Sequence, residues 1–84
     1  MASREVTLYR RRHCGLCDDA LFELRELARE LHFSIVECDI DGDADLRALY
    51  DESVPVIAVR GREIARAPID PGELRAALVA VFAV

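Results

Sequence analysis

His13-Cys14-Gly15-Leu16-Cys17, the stretch HCGLC at residues 13–17, places two thiols three residues apart. What the pair can do depends on what flanks it. On its N-terminal side EVTLY, residues 5–9, is rich in β-formers, and a strand is predicted over roughly residues 5–10. On its C-terminal side the pattern turns helical from Leu16. Leu21, Leu24, Leu27, Ala28 and Leu31 recur at three- and four-residue steps, while Asp18, Asp19, Glu23, Glu26 and Glu30 take the wet face. Acids near its start suit the positive end of the helix dipole. The pair therefore falls where a strand gives way to a helix, which is where open α/β sheets put their sites.

Thiol–disulfide exchange needs an accessible thiolate and a second thiol close behind it. A helix N-terminus stabilises an anion and so acidifies a cysteine placed there. Residues at i and i+3 share one helix face. Cys14 is thus the expected nucleophile and Cys17 the shielded, resolving thiol. Gly15 is expected to let the backbone turn tightly into the helix, and Leu16 to offer a partner an apolar spot beside the sulfur. Arg10, Arg11, Arg12 and His13 crowd the approach. The cations would favour the Cys14 thiolate and attract an anionic thiol or acidic surface, and His13 would carry protons.

The rest of the chain supplies the frame. FSIVECDI, residues 33–40, is a short apolar run predicted as a buried strand, with Cys38 inside it as a small apolar residue. DGDADLRALYDE, 41–52, opens with turn chemistry and becomes a short helix capped by Asp43. VPVIAV and RGREIARA read as an antiparallel hairpin turning at Gly61. DPGELRAALVAVFAV, 70–84, is a helix with Asp70 as N-cap, Pro71 at its first position and Glu73 at capping-box spacing. Leu74, Leu78, Val81 and Phe82 form its apolar face. The order is β-α-β-α-β-β-α. Both βαβ steps predict parallel strands, and the hairpin adds an antiparallel edge. The expectation is an α/β fold with a four-stranded mixed sheet and three helices, of thioredoxin type.

Composition excludes other classes. With 84 residues there is room for one domain, 1–84, and a modest core. A net charge of -5 leaves no basic surplus for nucleic acid. All eleven positive residues are Arg, which reads as codon usage rather than function. MASREV has no signal-like apolar stretch and ALVAVFAV is too short to span a bilayer, so no membrane association and a reducing cytoplasm are expected. There a close cysteine pair is catalytic or metal-binding rather than a staple. The acids from Asp41 mimic a calcium loop, but Leu46 stands where an EF-hand needs Gly.

VTLYRRRHCGLCDDA, VECDIDGDADLRALY, SVPVIAV and IDPGELRAAL together resemble the glutaredoxin branch of the thioredoxin fold, and most closely its small bacterial members with a C-x-L-C site. The resemblance implies a disulfide oxidoreductase using Cys14 and Cys17, with a cis Pro55 facing the dithiol. It also implies a Val54 backbone that holds a substrate chain. Arg11 stands where glutaredoxins commonly carry Lys. ARAPID, 65–70, replaces the Gly-Gly pair that grips glutathione. The expected substrate is a disulfide-bearing protein or small thiol, taken by a monomer without bound cofactor. The expected reductant is an upstream dithiol reductase, with glutathione disfavoured. Two other readings remain: a metal module of Cys14, Cys17 and Cys38 with a His, and a non-catalytic interaction domain.

Overall fold

The computed structural model describes residues 4–83; residues 1–3 and 84, the ends of the expected 1–84 domain, lie outside the described residues. Strand β1 spans Glu5–Arg10, helix α1 Gly15–Leu31 and strand β2 Ser34–Asp39. A single 3-10 turn, Ile40–Gly42, leads to helix α2, Ala44–Tyr50. Strands β3, Val56–Val59, and β4, Arg62–Arg66, are followed by helix α3, Pro71–Phe82. The strands lie in the order β2-β1-β3-β4.

Period-two burial in β1 sets the layers. Val6 and Leu8 are buried, and in the sheet they stand beside Val59 and Ile57 of β3. Onto that face pack Ala20, Leu21, Leu24 and Leu27 of α1 together with Leu74, Leu78 and Phe82 of α3. The alternate face carries Tyr9, whose ring lies 4.9 Å from that of Tyr50 at the end of α2. Helix α2 itself buries no residue. Asp43 caps it as expected, its carboxylate accepting the N–H groups of Asp45 (2.8 Å) and Leu46 (3.2 Å). Arg60 and Gly61 both have positive φ, 53° and 77°, which suits the two-residue turn of the β3–β4 hairpin.

The structure corrects four expectations. β2 is parallel to β1, but β3 runs antiparallel to it, so the second step is not a parallel crossover. The reason lies in the connection. Tyr9 is opposite both Cys38, near the end of β2, and Val56, the start of β3. Residues 40–55 therefore stay at one end of the sheet, and a seven-residue helix, about 10 Å long, has no sheet length to span. Second, β2 is not buried. It is an edge strand paired only with β1, four of its six residues are exposed, and Cys38 is half-exposed. Third, VPVIAV is strand only from Val56, leaving Val54 and Pro55 in the preceding loop. Fourth, Asp70 occupies the N-cap of α3 without a side-chain hydrogen bond, so the capping box does not form.

Candidate active site

Cys14 is the N-cap of α1, with extended backbone (φ -112°, ψ 105°). Its carbonyl accepts the Asp18 N–H at 3.0 Å and its Sγ accepts the Cys17 N–H at 3.1 Å. The sulfur thus sits among the unpaired donors at the positive end of a 17-residue helix. Cys17, one turn on, is wholly buried on the face that carries Ala20, Leu21 and Leu24, whereas Cys14 is half-exposed. Their Cα atoms are 5.2 Å apart and the two are joined as a disulfide. This asymmetry follows from the helix: position N-cap faces outward at the sheet's end, and position N3 falls in phase with the buried stripe.

The turn into α1 is made at His13, not at Gly15. His13 is exposed and left-handed, φ 54°. Gly15 has no positive φ, and a Cβ placed on it would meet nothing within 4 Å. The arginines are also not free cations. Arg10 lies between Asp18 (2.7 Å) and Glu37 (3.4 Å), Arg11 between Asp41 (3.2 Å) and Asp51 (2.7 Å), and Arg12 against Asp39 (3.4 Å). Desolvation works against the Arg11 charge, but its two carboxylates outweigh that and hold its pKa above the ordinary value. Each arginine of the loop is thus paired with a local acid, and the helix terminus supports an anion at Cys14 directly.

Val54 and Pro55 reach the same end of the sheet as the dithiol, because β3 begins opposite Tyr9. The Val54–Pro55 peptide is cis, as is Ala67–Pro68. Pro55 is buried, and its carbonyl accepts the Ala67 N–H at 3.0 Å. Val54 lies outside the strand ladders, and among the described residues its backbone enters no backbone hydrogen bond. Cys38 stays apart, opposite Tyr9 on the edge strand. Desolvation, then Tyr50 and Cys38, raise the Tyr9 hydroxyl above its ordinary value. Among the described residues no three His, Cys, Asp or Glu side chains are grouped to hold a metal ion, so the set Cys14, Cys17 and Cys38 is not assembled.

One element of the site was not anticipated. Leu16, 62% exposed, opens onto a groove of about 350 Å³ between α1 and the β4–α3 connection. Its apolar walls are Ala20 and Phe22 on one side and Ala67, Pro68 and Ile69 on the other, with Asp19 and Glu23 among its lining residues. A signal existed: Leu16, Ala20 and Glu23 share one helix stripe, and Phe22 is a large apolar residue out of phase with the buried one.

The chain's likenesses agree with this geometry. Residues 5–79 match the family model described as a glutaredoxin-like domain (DUF836). An uncharacterized protein of Mycobacterium tuberculosis (strain H37Rv) is 33% identical over 81 residues, covering 90% of this chain and 84% of that protein. The crystal structure of protein XcR50 from X. campestris is 41% identical, with a TM-score of 0.76 over 89% of this chain and 96% of that one. Thioredoxin 1 from Thermosipho africanus shares the fold at 15% identity, with a TM-score of 0.69 over 94% of each chain.

Proposed function

Because this chain belongs to the glutaredoxin-like domain family and shares the fold of thioredoxin, we propose that it is a thiol–disulfide oxidoreductase whose Cys14 attacks and whose Cys17 resolves. The observation that carries this reading is the asymmetry of the pair: an accessible sulfur at a helix N-cap and a wholly buried one a turn behind it. The helix terminus favours the Cys14 thiolate. That thiolate attacks one sulfur of a substrate disulfide; a Cys14 mixed disulfide forms and the other substrate sulfur leaves as a thiolate. Cys17 then loses its proton and attacks Cys14 Sγ, and the second substrate sulfur leaves. Two electrons pass to the substrate, which becomes two thiols, and the protein ends as the Cys14–Cys17 disulfide. An external dithiol reductase, under the reducing conditions of a cytoplasm, returns the pair to thiols. The free Val54 backbone is the strand-like contact for the substrate chain, and no bound cofactor is required.

The test is trapping. Cys17→Ser, reduced and mixed with a disulfide-bearing protein, should accumulate a mixed disulfide mapped by mass to Cys14, and Cys14→Ser should form none. In the reduced wild type, Cys14 should alkylate faster than Cys17 or Cys38 near neutral pH. Preferential labelling of Cys17 would overturn the assignment.

A further inference from the structure

The groove beside Leu16 deepens that reading, and the inference rests on it. We infer that the groove seats a bulky apolar side chain of a disulfide-bearing polypeptide that carries a Lys or Arg next to it, and that glutathione is a poor fit. Two of the groove's lining residues, Leu16 and Ala67, adjoin the site, although neither cysteine nor Pro55 lines it. Leu16 lies between the two cysteines, and Ala67 is tied to Pro55 by its 3.0 Å hydrogen bond. A substrate chain laid along Val54 with its sulfur at Cys14 has this hollow beside it. Its volume of about 350 Å³ is at the small end of ligand clefts, about 300–1,000 Å³, and fits one or two large side chains.

The polar groups of the groove set the charge of its occupant. Asp19 and Glu23 line it, and among the described residues neither is ion-paired. A cation on the substrate meets two free carboxylates, whereas glutathione brings two carboxylates against one ammonium and is repelled. Backbone donors are scarce on the opposite wall. Pro68 and Pro71 have no N–H and the Ala67 N–H is already used by Pro55, so of the lining residues on that wall only Ile69 has an N–H that, among the described residues, no backbone carbonyl accepts. A free carboxylate such as the glutamyl end of glutathione needs several such donors. An apolar side chain needs none.

The experiment uses the reduced Cys17→Ser chain at low salt and four disulfide probes. Three are peptides whose cysteine is joined to 2-mercaptoethanol and flanked by Leu and Arg, by Leu and Glu, or by Ser and Arg; the fourth is glutathione disulfide. The rate of mixed-disulfide formation at Cys14 is divided by each probe's rate with free 2-mercaptoethanol, which removes intrinsic reactivity. The Leu/Arg peptide should exceed Leu/Glu about fivefold and Ser/Arg about tenfold. Asp19→Asn with Glu23→Gln should close the Arg-over-Glu gap while keeping the Leu-over-Ser gap. Leu16→Ser should narrow the second gap. Equal rates for all probes, or glutathione disulfide matching the best peptide, would overturn the groove assignment and leave the dithiol chemistry standing. Failure of every probe would overturn the dithiol chemistry and the groove assignment with it.

Discussion

Cys17→Ser is the variant on which trapping depends, and its cost can be worked from the structure. Cys17 exposes none of its surface and faces the same interior as Ala20, Leu21 and Leu24. A buried thiol behaves as a small apolar group, but a hydroxyl in its place needs a partner. A helical serine usually finds one three or four residues back. Here the residues three and four back, Cys14 and His13, lie outside the helix in extended and left-handed conformations, so the regular helical acceptor geometry is not available to residue 17. An unmet buried hydroxyl costs about 1–3 kcal/mol. Cys17→Ala removes one heavy atom and adds no polar group, at about 1 kcal/mol. The stability of a chain this long is about 4–13 kcal/mol, and each kcal/mol moves its Tm by about 4–8 °C. Thermal unfolding followed by circular dichroism, in excess reductant so that no disulfide contributes, should rank reduced wild type above Cys17→Ala and Cys17→Ala above Cys17→Ser. A serine variant melting within about a degree of reduced wild type would mean that its hydroxyl reaches water. The resolving sulfur would then not be shielded, and the order of attack would lose its structural basis.

Four other outcomes are expected. Arg11→Gln with Arg12→Gln should move the pH profile of Cys14 alkylation by less than about one unit, because both guanidiniums already sit on carboxylates; a larger shift would restore them as direct supports of the thiolate. Gly15→Ala should be neutral or stabilise by about 0.4–1 kcal/mol with exchange intact, since its Cβ meets open space; lost exchange would show that Gly15 is needed for the turn. Leu24→Ala, at a wholly buried position, should cost about 2–5 kcal/mol in denaturant unfolding, and a loss under 1 kcal/mol would contradict the core assignment. Glu63 is held below its ordinary value of 4.5 by its hydrogen bond to Arg66, partly offset by desolvation and helped by the Arg66 charge. Its contribution is therefore present above that value and is lost as pH falls through the lower folded one; the Tm gap between wild type and Glu63→Gln should be small at neutral pH and vanish in acid.

What the sequence discloses here follows the range of each signal. Helix α1, its buried stripe and the Asp43 cap are local patterns, and they stand where periodicity and capping chemistry place them. β2 misled because a short apolar run reads the same at an edge as in the middle of a sheet; only the pairing order decides, and pairing is not local. The direction of β3 misled for the same reason. A helix between two strands suggests a parallel crossover, but the register at Tyr9 shows the chain turning back at the end it had reached. The carboxylates that neutralise Arg11 come from residues 41 and 51, far along the chain, and were visible only as a charge run. The groove was hidden because its two walls are separate segments, and Phe22 on its own reads as a stray surface residue.

The place of β1 in the sheet has a consequence for the order of events during synthesis. It leaves the ribosome before the other three strands of the sheet, yet it lies inside the sheet with β2 on one side and β3 on the other. Val6 waits for Val59, about fifty residues later, which is about 3–10 s at ordinary elongation rates. Helix α1 and then β2 can gather on β1 in the meantime, but its second edge stays open until β3 emerges. Until then that edge of β1 has no partner in its own chain, and an open apolar strand edge is the surface a holdase chaperone has most reason to cover.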